Sequence, residues 1–170
     1  MIIWINGTYG VGKTTIAQEV KNILGDCAII IEPDIYFQIF CREKFFKVGG
    51  GFFPQNNVTF ISEIKDVIEK KEKENKFVIV PMTVAMDESK IGLIDYFKEK
   101  SIIKHFVLTA SDDIMKQRIE NDYNRDKELS LRSIKSNVKY FEDNFYDDIN
   151  IFTDNLDKIE VANRIIEAIY

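Results

Sequence analysis

Eight residues near the start of the chain, Gly7-Thr8-Tyr9-Gly10-Val11-Gly12-Lys13-Thr14, fit the pattern G-x-x-x-x-G-K-[ST]. The spacing serves phosphate chemistry. Glycines let the backbone curl so that successive N–H groups point inward at phosphate oxygens, and a helix starting near Lys13 adds the positive end of its dipole. Lys13 then reaches the β- and γ-phosphates as a point charge, the Thr14 hydroxyl ligates Mg²⁺, and Thr15 extends the cradle. A guanine-reading N-K-x-D segment is missing, because Asn75-Lys76 runs into Phe77-Val78. The expected ligand is therefore MgATP.

Transfer of a phosphoryl group needs more than a cradle. An ionised acid near the γ-phosphate can accept the proton of an attacking hydroxyl or hold Mg²⁺ through water. Asp34, just past the second apolar run and two residues after Glu32, is the candidate for both roles. An aspartate at that place also suits the cap of the helix that follows, and both readings stand at this stage. Positive charge to balance the transition state is expected from Arg118 and Arg125, with Arg132 a further candidate in a lid over about residues 122–135. Each of these arginines also suits a solvated surface, Arg118 less so than the other two. The apolar run Phe77 to Pro81 leads into Met82-Thr83 without an acid, unlike the strand that carries the Walker B acid of motor-type ATPases.

These residues need elements to hold them, and the pattern supplies an alternation. Residues 2–5 read as a buried strand entering a turn at Asn6-Gly7, and Thr14 to Leu24 as an amphipathic helix stopped by Gly25. Further strands are expected at 27–31, 77–81, 102–108 and 149–152, and further helices at about 35–45, 58–75, 88–100, 111–123, 130–145 and from Leu156 towards Tyr170. Apolar runs that alternate with helices predict a five-stranded parallel sheet with helices on both faces, the three-layer αβα sandwich of P-loop proteins. The segment 47–57 has no period and carries Gly49-Gly50-Gly51, so it reads as a loop. Its own Phe52 and Phe53, with Phe45 and Phe46 just before it, suit either an acceptor pocket or core packing, and the acceptor region is expected at about residues 35–60.

The chain has 170 residues and 45% hydrophobic content, which suits a single domain. Its net charge of -5 argues against a nucleic-acid partner and for a small-molecule one. Cys27 and Cys41 are too few for a disulfide framework. The first residues show no leader and no run is long enough to span a membrane, so a cytoplasmic protein is expected. His105, the only histidine, reads as structural, and the acids Glu142, Asp143, Asp147 and Asp148 as a solvated helix end.

Several segments together resemble the TmrB-type tunicamycin-resistance proteins of bacteria: Ile3-Trp4-Ile5-Asn6-Gly7, Val80-Pro81-Met82-Thr83, His105-Phe106-Val107-Leu108 with Ala110-Ser111, and Thr153-Asp154-Asn155-Leu156. The resemblance implies the fold of nucleoside and shikimate kinases, ATP binding, and protection against a nucleoside antibiotic. It supports the P-loop residues, Arg118 as an adenine-stacking and phosphate-neutralising arginine, an acid near Asp34, and Pro81-Met82-Thr83 as the floor of the cleft. The chain departs from that pattern at three places. The Asp-Pro-Glu order appears as Glu32-Pro33-Asp34, the position four residues after Arg118 is Asp122, and Tyr170 is not followed by the amphipathic tail linked with membrane association. The resulting expectation is a small-molecule kinase that transfers the ATP γ-phosphoryl to a hydroxyl. The alternative is a protein that binds and sequesters an antibiotic with ATP and transfers nothing.

Overall fold

Strand β1 (Ile2–Gly7) buries all of its residues, because it is the middle strand of the sheet and both of its faces are covered. It pairs in parallel with β3 (Phe77–Pro81) and β4 (Ile103–Thr109). Beyond these lie β2 (Ala28–Ile30) and β5 (Ile149–Phe152), also parallel, giving the order β2-β3-β1-β4-β5. The computed structural model describes residues 1–44, 53–121 and 127–170.

Because side chains alternate across a strand, β1 feeds two cores. Ile2 and Trp4 join Val78, Val80 and Val107 on one face; Ile3 and Ile5 join Ile79, Phe106 and Leu108 on the other. Helices α2 (Pro33–Glu43) and α3 (Val58–Glu74) cover the first face through Phe37, Phe40, Phe60 and Ile64. The second is covered by α1 (Lys13–Leu24) and α8 (Lys158–Ile169), which pack on each other, and by α6 (Asp112–Glu120). Helix α7 (Lys127–Asn144) serves both, giving Ile134 to the second core and Phe141 to the first. These are the parallel sheet and two helical layers that the alternating pattern predicts.

Element ends differ from the sequence expectation for local reasons. Helix α2 begins at Pro33 rather than Ile35, since proline has no N–H to lose at a first helical position. The helix expected over 88–100 is instead α4 (Asp87–Ser89), a π-helical turn (Lys90–Asp95) and α5 (Tyr96–Lys100). Gly92 within that turn lies so close to α3 that an added Cβ would sit 2.5 Å from Ile61. No helix among the described residues is long and apolar enough to cross a membrane.

Candidate functional site

The loop between β1 and α1 is held from three sides before any ligand arrives. Asn6, wholly buried at the end of β1, uses its carboxamide as a surrogate strand edge. Its Oδ1 accepts from Val84 N at 2.9 Å and from Gly7 N at 2.8 Å, and its Nδ2 donates to Val84 O at 3.2 Å. Thr83 Oγ1 donates to Gly7 O at 2.9 Å, so the chain beyond β3 is tied to the start of the loop. At Gly10 (φ 81°) the loop presses on α6, where an added Cβ would meet Met115 O at 2.7 Å. From α7, Asn137 Nδ2 donates to Thr8 Oγ1 at 3.1 Å.

What the loop offers is a set of donors. Helix α1 starts from Gly12, which has no side chain to cap the first-turn N–H groups, and no acid stands in that turn to offset their charge. Lys13 Nζ donates to Thr8 O at 2.9 Å and lies 5.9 Å from the centre of the Tyr9 ring. Arg118, on the last turns of α6, donates from Nη1 to Gly10 O at 3.4 Å. The donor set fits a bound polyphosphate: a bent backbone, an uncapped helix N-terminus and two cations converge on one place.

That place is a cavity of about 310 Å³. Tyr9, Gly10, Gly12, Lys13, Thr14 and Thr15 form its P-loop side, with Arg118 beside them. Asp34, on the first turn of α2, also lines it. The cap reading of Asp34 does not hold, since the N-cap position belongs to Glu32 and carries no side-chain bond. Asp34 is exposed. Phe53, Pro54 and Gln55 form a further wall, and Pro81, Met82 and Thr83 line the floor. Gln55 Oε1 accepts from Ala85 N at 2.9 Å, which fixes the orientation of its carboxamide. Gly7, Thr8 and Val11 are buried beneath the loop. An adjoining cavity of about 230 Å³ lies between Arg118, Thr153, Leu156 and Lys158, with Gly12 and Thr15 at its edge.

Other expected residues fall elsewhere. Arg125 lies outside the described residues, as do Phe45, Phe46, Phe52 and the stretch 122–126 of the expected lid. The remainder of that lid is the first part of α7, where exposed Arg132 pairs with Glu128 at 3.3 Å rather than lining the cleft. Asn6 and Asn137 were not singled out by the sequence, because a lone asparagine carries no spacing signal and its partners are 78 and 129 positions away.

The acids at the end of α7 need one correction. Asp148 is not solvated: its side chain is only 13% exposed, and it meets Lys98 Nζ at 2.7 Å and His105 Nδ1 at 3.1 Å. Burial raises its pKa, but the His105 and Lys98 contacts outweigh that and hold it below the usual carboxylate value. At His105 burial wins instead and pushes its pKa down, against the pull of Asp148. No group of three or more His, Cys, Asp or Glu side chains suited to a metal occurs among the described residues.

The sheet order, the loop and the cleft define a P-loop nucleotide-binding protein of kinase-like architecture. A family model described as an AAA domain matches residues 3–143, and the chain belongs to that family. Strand β3 nonetheless ends at Pro81 with no acid in Met82 or Thr83, as the sequence reading had it. The structure of the Deinococcus radiodurans tunicamycin resistance protein aligns with a TM-score of 0.78 at 22% identity, over 99% of this chain and 94% of that one. Shikimate kinase from Acinetobacter baumannii aligns with a TM-score of 0.66 at 18% identity, over 99% and 92%. The likeness to tunicamycin-resistance proteins and shikimate kinases thus holds at the level of the fold. A uridine kinase of Chlamydia pneumoniae is 26% identical over 149 residues, 79% of this chain, which spans 63% of that protein's length.

Proposed function

We propose that the protein is a cytoplasmic small-molecule kinase that uses MgATP. The observation that carries this reading is that Lys13, Thr14, Arg118 and Asp34, from three different elements, line one cleft. MgATP, when bound, supplies the phosphoryl group and its activating metal. Residues Gly7 to Thr15 hold the phosphates, with Thr14 and Asp34 on the magnesium side, and the cavity beside Arg118 receives the adenine. Lys13 and Arg118 offset the charge that develops on the transferred group, and Arg125 is proposed to join them. Asp34 takes the proton of the acceptor hydroxyl. The acceptor is a small molecule with one face on Phe53 and Pro54, and the likeness to a tunicamycin resistance protein and a uridine kinase favours a nucleoside antibiotic or nucleoside.

One observation favours a second reading, in which ligand is retained with ATP and nothing is transferred: β3 carries no acid to help hold magnesium. Incubation with MgATP and either uridine or tunicamycin, followed by mass spectrometry, separates the two. The kinase reading expects a phosphorylated acceptor, and Asp34→Asn should lower the rate by a factor on the order of 10² to 10⁴ while MgATP still binds. Retention of unmodified ligand by wild type and Asp34→Asn alike would mean sequestration.

A further inference from the structure

The pattern G-x-x-x-x-G-K-[ST] leaves its second position open, so phosphate binding alone does not call for a threonine at position 8. Yet Thr8 is only 1% exposed, and the partner of its hydroxyl is Asn137, itself 6% exposed and on α7. A carboxamide in such a place is costly unless bonded. The carbonyl of the same Thr8 accepts the Lys13 ammonium at 2.9 Å. Thr8 is therefore joined to α7 through its side chain and to the phosphate-seeking lysine through its backbone. Other restraints act elsewhere in the loop: Asn6 and Thr83 hold the Gly7 N–H and carbonyl, and α6 lies under Gly10.

We propose that Asn137 is a positioning residue of the P-loop, which anchors Thr8 to α7 and so sets where Lys13 waits for phosphate. This rests on the reading that the loop binds nucleotide. Coupling of this kind is reciprocal, so α7 governs nucleotide affinity and nucleotide in turn steadies α7.

The test is calorimetric titration of MgATP into wild type, Asn137→Ala, Thr8→Val and the double variant. Each single change should weaken binding about five- to tenfold, the range of one lost buried hydrogen bond. The double variant should be no weaker than the worse single, because both remove the same link. Thr8→Ser, which keeps the hydroxyl, should recover most of the affinity lost with Thr8→Val. Hydrogen exchange adds a second readout: MgATP should slow exchange of α7 amides in wild type and not in Thr8→Val, a nearly isosteric change that keeps the proposal testable if Asn137→Ala does not fold. A purely structural bond would lower the unfolding temperature of the free protein and leave the affinity of the folded fraction unchanged. That result, or additive losses in the double variant, overturns the proposal. Wild type that binds no MgATP removes the nucleotide reading and this proposal with it.

Discussion

Lys13 and Asp34 differ in how far their types and positions can be read. The lysine is named by its motif, and it lines the cleft beside Thr14 and Thr15. We expect Lys13→Ala to keep the fold but lose most of the rise in unfolding temperature that saturating MgATP gives the wild type, since ligand stabilisation scales with affinity. The aspartate was open between cap and cleft. Pro33 decided it: as first residue of α2 it leaves the cap position to Glu32 and Asp34 in the first turn, where it lines the cleft. Gly10 carries a packing demand as well as a bend. Gly10→Ala would bring Cβ within 2.7 Å of Met115 O at a left-handed φ. A loss of about 1–3 kcal/mol in chemical denaturation is expected.

At the scale of elements, Asn6 is one of the side chains, with Trp4 and Thr83, that join β1 to the chain after β3. Asn6 reads in sequence as a turn marker before Gly7, yet three hydrogen bonds to Gly7 and Val84 make it part of the sheet. Asn6→Ala leaves the buried N–H groups of Gly7 and Val84 without that partner. The expected loss of stability is about 2–4 kcal/mol, measured by urea denaturation, because unmatched buried donors carry the full cost of desolvation. Strand and helix types were legible because apolar periods of two and 3.6 are local properties. Exact ends were not, and α2 begins at Pro33 rather than Ile35. The π-helical turn after Ser89 was equally hidden, since its fit depends on Gly92 meeting Ile61 of another helix.

For the whole molecule, pH dependence should centre on His105, which is 3% exposed and stacks edge-on with Phe145 at 4.7 Å. Its Nδ1 lies near Asp148 without the alignment of a hydrogen bond, and its Nε2 has no partner. Burial keeps its folded pKa below the ordinary value, so the unfolded chain binds the proton first. Stability should be full above about pH 7 and fall as pH drops through about 6.5, by at most about 1.4 kcal/mol per pH unit. Unfolding temperatures between pH 7.5 and 5.5 measure this slope, and His105→Phe should flatten it. Asp148, with its lowered pKa, contributes a separate loss only in the carboxylate range near pH 4 and below.

The sequence by itself determined the phosphate loop, the alternation of strands and helices, and thus the class of fold, because spacing and periodicity act over a few residues. It also supplied Arg118 and Asp34 as candidates. Only the tertiary structure decided the strand order that puts β1 between β3 and β4, and that order brings Asn6 to Val84 and Thr8 to Asn137. It also placed Asp34 in the cleft and buried Asp148 beside His105. Those contacts join residues far apart in the chain, and burial at such distances follows from how whole layers pack rather than from any local pattern.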